Sequence, residues 1–116
     1  MKNTKLKRGQ IFLVQTPVMP DREGTQCYKI RPAIIVSNSN DNAESKHISI
    51  IYMTGKENPE LSPTHVKINK FGIAMCEQIH TIDRECFIDD HKYQCSEAEM
   101  QKISQILANH LGLRSA

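Results

Sequence analysis

Apolar residues in this chain arrive in short β-branched bursts, and that spacing most limits the folds open to it. Ile11 to Val14, Ala33 to Val36 and the Ile-rich stretch His47 to Met53 are each too brief for an ordinary helix. Their Val, Ile and Phe content favours the pleated conformation. Polar segments punctuated by Pro, Gly and Asn separate them. The expected strands are Gln10–Gln15, Ala33–Ser37, His47–Met53, His65–Ile68 and Ile73–Ile79. Thr16 to Lys29 reads as a long polar loop holding Pro17, Pro20 and Gly24, and loops of that length in compact domains are commonly functional. Pro32 pushes Arg31 toward extended geometry, which places Arg31 at the mouth of the second strand. Asn38 to Lys46 reads as a polar turn, Asn58-Pro59 and Ser62-Pro63 mark another loop, and Phe71-Gly72 marks a turn.

Helical periodicity is clearest at the C-terminal end. Ser96-Glu97-Ala98-Glu99 matches a capping box with Ser96 as N-cap. Met100, Ile103, Leu107, His110 and Leu111 then fall on one face, and Gly112 stops the helix. Strands followed by one terminal helix imply a mainly β domain with the helix packed against it.

With 116 residues, 39% of them hydrophobic and 24% charged, the chain fits one globular domain over 1–116, with 1–6 expected as a flexible tail. The net charge of +2 permits nucleic-acid binding without requiring it. Lys2, Lys5, Lys7 and Arg8 form a small basic cluster that reads as a solvated tail. The apolar runs are far too short to span a bilayer and no signal peptide is visible, so the expected location is the cytoplasm with no membrane partner. Cys27, Cys76, Cys86 and Cys95 are then expected as free thiols. Cys76, His80, Cys86, His91 and Cys95 also raise the question of zinc. No Cys-x-x-Cys pair is present, and residues four apart on a strand share a face but sit ~13 Å apart. No metal site and no cofactor are therefore expected.

Several segments together resemble the MazF/PemK family of toxins. These are Lys7-Arg8-Gly9-Gln10-Ile11-Phe12-Leu13-Val14, Ile30-Arg31-Pro32-Ala33-Ile34-Ile35-Val36-Ser37-Asn38, Ile50-Ile51-Tyr52-Met53-Thr54, Pro63-Thr64-His65-Val66 and Glu77-Gln78-Ile79-His80-Thr81-Ile82-Asp83. Leu111-Gly112-Leu113 at the end of the helix fits as well. Each piece is weak alone; their shared order and spacing carry the likeness. The resemblance implies an SH3-like small β-barrel of five to seven mostly antiparallel strands with a C-terminal α-helix, assembled as a homodimer. It implies sequence-selective cleavage of single-stranded RNA, a co-encoded antitoxin protein as partner, and contact with DNA only indirectly through the antitoxin complex.

Metal-independent cleavage of RNA uses the substrate's own 2'-hydroxyl, which leaves a 2',3'-cyclic phosphate and a 5'-hydroxyl. The protein must align the attack, stabilise charge on the phosphoryl oxygens and see the leaving oxygen protonated. The resemblance places Arg31 and Thr54 at the catalytic positions. Arg31 offers a planar fork of donors matched to phosphate, and Thr54 a hydroxyl that can donate to a non-bridging oxygen. RNA contacts are expected from Gln26, Tyr28, Lys29, Gln78 and His80. Here the chain departs from the family. Many members carry Ser-Glu-Gln-Gly-Gly before the Arg-Pro pair, where this chain has Thr25-Gln26-Cys27-Tyr28-Lys29. An amide at Gln26 cannot replace a carboxylate as a base. Two alternatives stand beside the nuclease: a gyrase-poisoning toxin of the same fold resembling CcdB, and an RNA-binding relative that no longer cuts. The Arg31 and Thr54 pair discriminates, because a protein-binding poison does not need it.

Overall fold

The structure is a computed structural model that describes residues 5–55 and 62–113, with 89–92 described as backbone only. The expected turn at Asn58-Pro59 lies outside the described residues. Six strands form one sheet: β1 (Gln10–Val18), β2 (Cys27–Ile35), β3 (His47–Thr54), β4 (His65–Ile68), β5 (Gly72–Asp83) and β6 (Phe87–Gln94). A short helix α1 (Ser39–Glu44) joins β2 to β3, one 3₁₀ turn (Arg84–Cys86) joins β5 to β6, and α2 (Glu97–His110) ends the fold.

The strand order is β4-β5-β3-β2-β1-β6, and the paired neighbours run antiparallel. This corrects the expected barrel in one respect. The sheet is open, with β4 and β6 as its two ends. β4 has only four residues, and α2 packs across β4 and β5.

Period-two alternation makes both faces of the sheet apolar. On one face Ile11, Ile34, Ile51, Met53 and Ala74 meet Met100 and Ile103 of α2. On the other, Phe12, Val14, Ala33, Ile35, Ile48, Ile50 and Tyr52 meet Leu6 and Phe87. Phe12 and Phe87 pack edge to face with centroids 5.5 Å apart. Leu6, placed by the sequence reading in the tail, is 1% exposed. Arg8 of the basic cluster is a tether rather than a solvated charge: its Nε donates to Val36 O at 3.0 Å and its guanidinium to Ser104 Oγ at 2.8 Å. Those bonds fasten β2's exit to α2.

The long loop expected over Thr16 to Lys29 is mostly strand. β1 and β2 form a hairpin that pairs from Ile11↔Ile34 to Val18↔Cys27, leaving only residues 19–26 outside it. Polar side chains there imitate a loop because this end of the hairpin is largely solvated: Gln15 and Pro17 on β1 and Tyr28, Lys29 and Ile30 on β2 are exposed. Arg31 consequently lies inside β2, opposite Val14, and not at a strand mouth. Pro32 is tolerated because β3 pairs with β2 only from Ala33 onward.

The expected turn at Asn38 to Lys46 contains α1, capped by the Asn38 side chain and anchored by Asn42, which is fully buried and bonds Ser37 through both amide atoms. The sequence assigns residues to five strands out of the five to seven expected, and Phe87–Gln94 is not among them because it carries little of the Ile and Val signal. The capping box of α2 is present in both directions. His110 and Leu111, expected on its buried face, are exposed. The helix stops there, with Gly112 at φ +74°.

Candidate functional site

Arg31, Tyr52 and His80 come from three neighbouring strands and share one face of the sheet. Ala33 and Ile35 of β2 belong to the second apolar face, so Arg31, two residues before Ala33, shares it. Tyr52 pairs with Ala33, and His80 pairs with Ile50, on that same side. These residues and Thr16, Gln78 and Cys86 help line a cleft of about 530 Å³.

An irregularity in β5 delivers Gln78 and His80 to the cleft. The β3–β5 register runs Ile51↔Ile79, then resumes at Met53↔Ala74. β5 therefore carries extra residues, and its inward parity switches across them. Cys76 is buried in the core beneath α2, whereas His80 and Ile82 face the opposite side. This overturns the expectation that Cys76 and His80 share a face, which assumed unbroken alternation. Cys95 sits in the same core as Cys76, and Cys86 lines the cleft. The side chain of His91 lies outside what the structure describes. Among the described residues no group of three His, Cys, Asp or Glu side chains gathers as a metal site. Burial pushes the Cys76 thiol up to about 11 and the Cys95 thiol up to about 12, with Glu77 and Glu99 respectively adding to the effect.

Glu77 falls at the parity switch and turns to the chain before β4. Its Oε1 accepts from the Thr64 hydroxyl at 2.7 Å, and its Oε2 lies 3.4 Å from His65 Nε2. Burial works to raise the Glu77 pKa. The hydrogen bonds from Thr64, its own backbone amide and His65, with the His65 charge, outweigh it and hold the carboxyl below its ordinary value. Glu77 thus ties β5 to Thr64 and His65 through two side chains.

Arg31 is half-buried, with its guanidinium carbon 4.6 Å from the centroid of the Tyr52 ring. Its Nε is buried without a hydrogen-bond partner among the described residues. Tyr52 in turn packs against the His80 ring at 4.8 Å, and its hydroxyl donates to Thr16 Oγ1 at 3.4 Å. Asp83 is the carboxylate among the lining residues, and it accepts from the Glu85 N–H at the start of the 3₁₀ turn.

The other expected residues distribute around this centre. Thr54 ends β3, half-buried. It lies two residues beyond Tyr52 and pairs with Ile73 of β5; the β2–β3 ladder ends at Ala33↔Tyr52, and Thr54 is not among the residues that line the cleft with Arg31. Gln78 and His80 line the cleft. Lys29 is exposed on β2 with the parity of Arg31. Tyr28, 59% exposed, belongs to an adjoining groove that shares Pro17 and Cys86 with the cleft. Gln26 does not face the cleft; its Nε2 donates to the carbonyls of Val18 and Cys27 and closes the hairpin end. Sequence reasoning missed Thr16, Tyr52 and Asp83. The signal for Tyr52 was present, since it precedes Thr54 by two residues on a strand.

The model of the PemK-like, MazF-like toxins of type II toxin–antitoxin systems matches residues 7–111. This chain belongs to that family. A relative named Endoribonuclease MazF, from Staphylococcus saprophyticus, is 28% identical over 95% of this chain and 94% of its own length. Among solved structures, a mycobacterial endoribonuclease in complex with its cognate antitoxin covers 95% of this chain and 98% of its own at a TM-score of 0.75 and 24% identity. A MazE-MazF complex from Deinococcus radiodurans covers 97% of this chain and 100% of its own at a TM-score of 0.79 and 13% identity. These two show that the family's fold is shared at low identity. Among the described residues no helix is long and apolar enough to cross a membrane.

Proposed function

We propose that this family member is an endoribonuclease toxin that cuts single-stranded RNA without a metal ion, with Arg31 and Thr54 at the scissile phosphate. The observation that carries the reading is Arg31 itself. A half-buried guanidinium held at a cleft between strands, with no carboxylate paired to it among the described residues, is suited to receive an anionic ligand. Family membership and the relative named an endoribonuclease supply the class of reaction.

In the proposed step the substrate's 2'-oxygen attacks the adjacent phosphorus and gives up its proton, and the bond from phosphorus to the 5'-oxygen breaks. That oxygen leaves protonated, so the products are a 2',3'-cyclic phosphate and a 5'-hydroxyl. Arg31 donates to the phosphoryl oxygens as charge accumulates on them, and the Thr54 hydroxyl holds a second oxygen in line. Gln26 bonds backbone carbonyls through its amide and is no proton acceptor for the step. Gln78, His80 and Lys29 flank Arg31 on one face and are the closest candidates for neighbouring nucleotides. Tyr28 in the adjoining groove offers an exposed ring for stacking a base. An antitoxin partner and a homodimer belong to the same proposal, the former supported by the family description and by the antitoxin-bound structures.

The test is incubation of the purified protein with a long unstructured RNA in excess chelator, followed by end-group analysis. Cuts carrying 2',3'-cyclic phosphate and 5'-hydroxyl ends, lost in Thr54→Ala, are the expected result. Cleavage that stops on chelation, or ends with a 5'-phosphate, contradicts the proposed chemistry.

A further inference from the structure

We infer that Tyr52 is a positioning residue for the reaction: its ring carries the Arg31 guanidinium, while His80 and Thr16 hold the ring. The inference rests on the proposed role of Arg31.

An arginine on a strand has a long flexible side chain, and a free one spreads its donors over many rotamers. Two kinds of contact can restrain it. A carboxylate would do so by consuming the N–H donors that a phosphate needs. An aromatic ring does so through the π face of the guanidinium and leaves the donors in its plane available. This chain uses the second. The guanidinium carbon of Arg31 lies over the Tyr52 ring, 4.6 Å from its centroid, and among the described residues Arg31 forms no ion pair.

The ring is itself restrained from both ends. Tyr52 is 4% exposed, packed in the apolar face with Ala33 and Ile50. The His80 ring lies 4.8 Å away, tilted by 58°. The phenol donates to Thr16 Oγ1, itself 7% exposed. β1, β2 and β5 thus each send one side chain to a ring supplied by β3. Because the ring is largely out of water, its attraction for the cation is less screened than at an exposed site. Tyr52 reaches the reaction only through Arg31, so its effect belongs on turnover and not on substrate affinity.

The experiment compares wild type, Tyr52→Phe and Tyr52→Leu on a short RNA oligonucleotide carrying a site mapped on a long RNA. The phenylalanine variant keeps the ring and is expected to retain kcat within about threefold. The leucine variant is expected to lose about tenfold or more in kcat, with KM little changed. A second measurement needs no variant: in the wild-type protein the side-chain proton resonances of Arg31 are expected upfield of ordinary arginine values through the ring current of Tyr52. Unshifted Arg31 resonances overturn the inference even if Tyr52→Leu fails to fold. Cleavage that Arg31→Ala abolishes but Tyr52→Leu leaves at full rate overturns the inference alone. Wild-type protein that cuts no RNA overturns the proposed function, and the inference with it.

Discussion

The guanidinium carbon of Arg31 sits 4.6 Å from the centre of the Tyr52 ring, joining β2 to β3 where their hydrogen-bonded ladder has just ended. The planar fork of that guanidinium is what a phosphodiester accepts in two places. Arg31→Lys keeps the charge and loses the fork. Its cleavage rate is expected to fall on the order of 100-fold, with thermal stability unchanged within about 1 kcal/mol. Single-turnover cleavage and a melting curve on the same preparation check this.

Gly72 bears on the other candidate catalytic residue. It adopts φ +131°, and a Cβ there would meet the Thr54 carbonyl oxygen at 2.5 Å. Backbone on backbone has little room to yield. Gly72→Ala is expected to cost about 2 kcal/mol or more, because conformational strain and the contact add. It should also lower cleavage in the fraction that stays folded, because β3 must shift at Thr54. Denaturant titration and activity normalised to folded protein separate the two effects.

The face of the sheet beneath α2 is covered unevenly along its strands, so isoleucines of the same parity differ in burial. Ile51 is fully buried beneath α2, while Ile30 on the neighbouring strand is 55% exposed. Ile51→Ala is expected to destabilise by about 3 kcal/mol, and Ile30→Ala by less than about 0.5. Urea unfolding of both variants measures the difference.

The buried thiols link stability to alkaline pH. Burial raises Cys76 to about 11 and Cys95 to about 12 from an ordinary 9.0. A group raised in the folded state contributes stability that is fully present below its unfolded value and is lost as pH climbs toward the folded value. Stability should therefore decline from about pH 9 upward. The doubly substituted Cys76→Ala, Cys95→Ala protein should show a shallower decline than wild type. Equilibrium unfolding at a series of pH values from 7 to 11 reads the slopes.

The elements with strong local signals were legible in the sequence. Ile-rich β3, the short β4 and the capping box at Ser96 follow from residue type and spacing alone. The hairpin arms around Thr16 and Tyr28 were not, because their polar surface imitates a loop, and β6 was not, because its stability comes from pairing with β1. At the candidate site, Arg31, Gln78 and His80 were named on a family likeness and do line one cleft. Gln26 was assigned to RNA, yet its amide is engaged with the hairpin backbone. Tyr52 escaped notice because its role depends on which strands become neighbours, a tertiary fact. The parity switch in β5 is of the same kind: an irregularity that neither hydrophobicity nor spacing announces decides that His80 faces the cleft and Cys76 the core.

The most direct measurement is single-turnover cleavage of an unstructured RNA in excess chelator by wild type and by Arg31→Ala, with circular dichroism confirming that both are folded. The expected result is cutting by wild type and a loss of at least about 100-fold in the variant. Cutting by folded Arg31→Ala at the wild-type rate would contradict the assignment of Arg31 to the scissile phosphate.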